Sequence, residues 1–89
     1  MTARHRLAKI YSGKQLLEEL RKRKEKEEWL FAIAVARAGL EREGHWNISA
    51  EKEIAKALTE FQIAPEELEE YLKKNRRRIL RFLDRSPSL

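Results

Sequence analysis

Apolar positions recur along this chain at helical rather than strand spacing, and start and stop signals separate one recurrence from the next. Ser12-Gly13-Lys14-Gln15 reads as a capping box, which predicts a helix beginning near Lys14 with Leu16, Leu17 and Leu20 on its apolar face. Glu18/Lys22 and Glu19/Arg23 stand at the i,i+4 spacing that supports a helix surface. The pattern then changes. Every residue from Arg21 to Glu28 is charged, so that stretch has no face to bury, whereas Trp29 to Ala36 directly after it is apolar on all sides and predicts the central, most buried helix. One unbroken helix from Lys14 to Glu43 would be about 45 Å long, more than a domain of this size is wide. The chain must therefore bend near residues 24 to 28 or project an arm, and a projecting arm leads to the expectation of a homodimer.

Gly44 is placed to close the central helix, because glycine tolerates the left-handed conformation of a helix C-terminus. His45 to Ile48 forms a loop. Asn47 or Ser49 then caps a helix from Ala50 to about Phe61, along which Ile54, Leu58 and Phe61 recur. A turn at Gln62–Ala64 leads to Pro65, which suits the first position of a last helix running to about Arg85. Leu68, Tyr71, Leu72, Asn75, Ile79, Phe82 and Leu83 fall on an arc of about 120° of that helix. The pattern thus predicts an all-α protein: a small bundle of about four helices in a single domain over residues 14–85. A basic arm over 1–13 precedes it, and a short tail, residues 86–89, follows. Helix Ala50–Phe61 and the helix after Pro65 resemble a helix-turn-helix in outline, with Ala55 and Leu58 before the turn and Leu68 after it.

Composition narrows the chemistry. The 89 residues include no Cys, which removes disulfides, thiolate catalysis and cysteine-based metal sites. Neither His5 nor His45 has a second ligand at metal spacing, Asp84 is the sole aspartate, and no glycine-rich phosphate loop occurs. No cofactor, metal or catalytic site is expected. Residues 1–11 lack the apolar run of a signal peptide, and Trp29–Ala36 is too short to span a bilayer, so a cytoplasmic location is expected. Abundant Glu, Lys and Arg beside few Asn, Gln and Met is a balance common in thermophile proteins.

The net charge of +5 is unevenly spread: residues 1–26 carry nine bases against three acids, 27–70 four against eleven, and 71–89 seven against one. On the last helix Lys73, Lys74, Arg77, Arg78, Arg81 and Arg85 lie opposite the apolar arc, with Arg76 at its border. Such a face suits a phosphate backbone, because arginine makes bidentate phosphate contacts. Bases near a helix C-terminus also complement the macrodipole, which accounts for part of the enrichment. Arg4 and Arg6, with His5 and Lys9, form a second basic element able to enter a minor groove. Arg21 to Lys26 reads as a solvated helix face laced with i,i+4 ion pairs. Against an ordinary recognition helix stand Glu66, Glu67, Glu69 and Glu70, which would meet phosphates first.

The expected function is that of a small, non-enzymatic nucleic-acid-binding protein: a dimeric DNA-binding transcriptional regulator that touches phosphates through the basic face of its last helix, with DNA favoured over RNA. The alternative is an adaptor or inhibitor that engages an acidic or helical protein partner through the same bases or through Trp46, an aromatic anchor in a loop. Insertion of Leu80, Phe82 and Leu83 into a membrane is disfavoured, since a domain this small needs those side chains for its core.

Overall fold

The computed structural model describes residues 13–85, with side chains from Gln15 onward. The predicted capping box at Ser12, the basic arm with Arg4 and Arg6, and the tail 86–89 lie outside the described residues. Among the described residues five helices follow one another: α1 (Gly13–Arg21), α2 (Lys26–Arg42), α3 (Ile48–Glu60), α4 (Pro65–Lys74) and α5 (Arg76–Arg85). The all-helical expectation holds among the described residues, with one helix more than anticipated.

The break between α1 and α2 falls where the charged run leaves nothing to bury. The last turn of α1 closes through Lys22 N–H to the Glu19 carbonyl and Arg23 N–H to the Leu20 carbonyl, at 3.3 and 3.0 Å. The indole Nε1 of Trp29 donates to the carbonyl of Arg23 at 3.0 Å, so the first residue of the apolar run satisfies a carbonyl that the broken helix leaves open. Because the chain turns here, no arm projects among the described residues. The described chain measures 31 × 25 × 25 Å, against about 45 Å for an unbroken helix. The homodimer expectation loses the premise on which it was built.

The all-round apolarity of α2 follows from its position, since it packs against α1, α3, α4 and α5. Ala32, Ile33, Ala34 and Val35 are wholly buried, and Leu16, Leu20, Leu58, Leu68 and Ile79 close over them from the other helices. Trp29 meets Phe61 edge-on with ring centroids 5.0 Å apart, and Phe31 meets Phe82 at 5.3 Å. Each such pair adds about 0.5–1.5 kcal/mol beyond its buried area.

Asn47 caps α3 as anticipated, its Oδ1 accepting from Ala50 N–H at 2.9 Å. Two helix ends use the same left-handed closure. At Gly44, φ is +75°, and His45 N–H reaches the Leu40 carbonyl at 2.8 Å. At Gln62, φ is +56°, and Ile63 N–H reaches the Leu58 carbonyl at 2.8 Å. Glycine adopts this conformation without steric cost and glutamine does not. Burial of Ile63 beside Leu58 holds the second closure in place. Pro65 opens α4, where the Glu67 carboxylate accepts from Ala64 N–H at 3.1 Å. Lys26 and that N–H hold the Glu67 carboxyl below the usual carboxylate range.

The largest departure from expectation is the last helix, which is two. Asn75 interrupts it: its N–H and its Nδ2 both donate to the Tyr71 carbonyl, at 2.9 and 3.0 Å, and α5 begins afresh at Arg76. The anticipated apolar arc survives the break, with Leu68, Tyr71 and Ile79 buried and Leu72, Phe82 and Leu83 half-buried. The helix-turn-helix outline is weaker in three dimensions, because α3 and α4 each pack more extensively on α2 than on each other.

Candidate nucleic-acid interface

The break at Asn75 redistributes the basic residues. Lys73 and Lys74 end α4, where cations complement the macrodipole, whereas Arg76, Arg77 and Arg78 occupy the first turn of α5. Cations at that end oppose the dipole, by about 0.3–1 kcal/mol each at an exposed position. Helix stability therefore does not account for three arginines there. The same break separates them from Glu66, Glu67, Glu69 and Glu70, which remain on α4, and α5 has no acid in its first turn.

One of the three has a structural role. Arg78 donates to Glu27 Oε1 at 3.1 Å, and its guanidinium lies 4.6 Å from the centre of the Phe31 ring. The Tyr71 hydroxyl donates to the same Glu27 oxygen at 3.0 Å, so α2, α4 and the start of α5 meet at one carboxylate. Burial first, and then the bond to Glu27 and its charge, push the Tyr71 phenol up to about 12. Lys74 is paired within its own helix to Glu70 at 3.0 Å, and Asp84 is held by Arg42.

Lys73, Arg77, Arg81 and Arg85 are exposed and have no carboxylate partner among the described residues. On α5, Arg77, Arg81 and Arg85 are spaced four residues apart, so they form a line along the solvent side, about 6 Å of axis between successive members. Of the bases anticipated on the last helix, Arg78 and Lys74 are engaged within the molecule, whereas this line, with Lys73 and Arg76, has no carboxylate partner among the described residues.

Most bases of the charged run from Arg21 to Lys26 are paired, but the run spans the break between α1 and α2 and is not one helix face, and of its pairs only Arg23–Glu19 has the anticipated i,i+4 spacing. Arg21 pairs with Glu60, Lys22 and Arg23 with Glu19, and Lys26 with Glu67. Glu18 and Lys22, paired on paper at i,i+4, give way to Glu19 and Lys22. Glu19 itself is buried, with 4% of its side chain exposed, although its sequence position reads as an ordinary helix surface. No spacing signal marks it. Its burial comes from the packing of α1 on α2 and α3.

Trp46 is half-buried against the core, with the Arg37 guanidinium 5.2 Å from its ring centre. It folds back over the domain rather than standing out as an anchor. Arg37 also donates to Glu41 and to Glu69, and thereby ties α2 to α4. Sequence reasoning missed Arg37, a single base inside an apolar helix. Among the described residues no group of three or more His, Asp or Glu is placed to hold a metal ion, and no helix is long and apolar enough to cross a membrane. Comparison with protein families, with curated proteins and with solved structures finds no match to this chain.

Proposed function

We propose that this chain is a non-enzymatic, duplex-DNA-binding domain that acts inside the cell and grips the phosphate backbone through α5. The observation that carries this reading is the exposed line Arg77–Arg81–Arg85, which has no carboxylate partner among the described residues and begins where the helix dipole disfavours cations. Arginine in this setting suits bidentate contact with phosphate oxygens. A short helix with an arginine face fits the wide major groove of B-form DNA, whereas the major groove of A-form RNA is too narrow for it, which favours DNA. A role in transcription follows if the arginines also reach base edges.

The contacting helix in this reading is α5, and the acidic start of α4 stands apart from the interface. The reading requires no second copy of the chain. Fluorescence anisotropy with duplex and single-stranded oligonucleotides at two salt concentrations tests it. Duplex affinity that is independent of salt, or unaltered by charge reversal at Arg77 and Arg81, would overturn it. Binding to an acidic protein with no affinity for DNA would transfer the arginine line to the alternative expectation.

A further inference from the structure

A groove of about 450 Å³ opens between α2, α4 and α5. Its floor is apolar, built from Ala38, Leu72, Ile79 and Leu80. Leu80 is 40% exposed, and it and Ile48 are the large hydrophobic side chains left exposed among the described residues. The rim is charged. Arg37 holds the carboxylates of Glu41 and Glu69, and Arg42 pairs with Asp84, so the rim charges left without a partner are Lys73 and Arg76. At about 100° per residue, Arg76 and Leu80 lie on one flank of Ile79, Arg77 lies towards the back of the helix on that same side, and Arg81 and Arg85 lie on the other flank. None of Arg77, Arg81 and Arg85 lines the groove, and Arg81 and Arg85 face away from it, so its role does not rest on DNA binding.

We propose that this groove is the docking site for an acidic amphipathic helix of a partner protein, whose apolar stripe covers Leu72 and Leu80 while its carboxylates meet Lys73 and Arg76. Three observations select this occupant. An apolar floor beneath two unpaired cations is complementary to a helix with leucine-like residues at i, i+3, i+4 and i+7 and acids on the flanks. A nucleic-acid backbone satisfies the cations but supplies little apolar surface for Leu80. The described surface of a second copy offers no such apolar row, since Ile48 stands alone there as the other exposed large hydrophobe.

The test uses the full chain, isotope-labelled for NMR, and a synthetic helical peptide of about fifteen residues with Leu at those spacings and Glu on both flanks. Its control has the same composition with the Leu positions scattered around the helix. Saturable binding of the patterned peptide is expected, with chemical-shift changes at Ala38, Leu72 and Leu80. Leu80→Glu and the pair Lys73→Glu/Arg76→Glu should each weaken it by about tenfold or more. Arg81→Glu/Arg85→Glu should leave it within about twofold, because those side chains face away from the groove. All five positions are exposed, and an unchanged circular-dichroism melt would confirm that the variants fold. Failure of the patterned peptide to saturate, equal binding of the scattered control, or shifts confined to Arg77, Arg81 and Arg85 would overturn the proposal. So would a duplex oligonucleotide that perturbs Leu72 and Leu80 in preference to Arg77 and Arg81.

Discussion

Arg78 and Glu27 stand fifty-one positions apart in the chain and 3.1 Å apart in space. Their contact joins the first turn of α5 to the first turn of α2, and the Tyr71 hydroxyl, on the same carboxylate oxygen, adds α4 to the junction. The cation at Arg78 is also set over the Phe31 ring. Among the arginines that open α5, this one orients the helix and its neighbour Arg77 is left to solvent.

That division gives different outcomes for adjacent residues. Arg78→Ala should lower stability by about 1 kcal/mol, since it removes a partly exposed ion pair together with a cation–π contact. Arg77→Ala should stay within about 0.5 kcal/mol of the parent, as surface substitutions usually do. Urea denaturation of the two variants side by side checks this. Equal losses would mean that the junction contributes nothing to the seating of α5.

The Tyr71 phenol, pushed up from 10 to about 12, predicts a loss of stability at high pH. The fold favours the neutral phenol, so its contribution is fully present below the unfolded value near 10 and is lost as pH rises from there towards 12. Tyr71→Phe has no such proton to lose. The expected result is that the urea midpoint of the parent falls more steeply than that of Tyr71→Phe across this window. Parallel curves would refute the assignment.

Gly44 and Gln62 make a matched pair of helix ends, and exchanging their residue types should have opposite effects. Gln62→Gly relieves a left-handed conformation that costs a side-chain-bearing residue about 1 kcal/mol, and should raise stability by about that amount. Gly44→Ala imposes the same strain and should lower stability similarly. A Cβ at Gly44 would meet nothing within 4 Å, so the cost there is purely that of the backbone. Thermal melts of both variants would show shifts of opposite sign.

For the proposed interface, three phosphate contacts from Arg77, Arg81 and Arg85 imply a slope of about −2.7 in log K against log salt, or about a 40-fold weakening between about 50 and 200 mM. Each single arginine-to-alanine change should reduce the magnitude of the slope by about one, across all duplex sequences alike. Anisotropy titrations measure both quantities. A slope that survives the loss of all three arginines would place the phosphate contacts elsewhere.

Much of this architecture can be read from the amino-acid pattern. The all-round apolar run Trp29–Ala36 marks the central helix, because a segment without a polar side must be enclosed on every side, and α1, α3, α4 and α5 enclose it. Asn47, Gly44 and Pro65 punctuate the chain where local backbone chemistry requires, and the apolar arc of the C-terminal segment identifies its buried residues across the break. These features depend on near neighbours, so spacing alone reveals them.

Other features are visible only in the folded chain. A helix from Pro65 to Arg85 satisfies every local rule, yet Asn75 ends it, and the division assigns the arginines to the start of a new helix instead of the end of an old one. The side chains of Arg78, Lys74, Lys26 and Arg21 look alike in the sequence; which of them are spent on carboxylates, and which of their neighbours remain available to a partner, depends on acids brought near by the fold. Burial of Glu19 and the seating of Trp46 under Arg37 have the same origin. Charge and periodicity along a chain set which residues can meet water or core, and long-range contacts set which charges are left over.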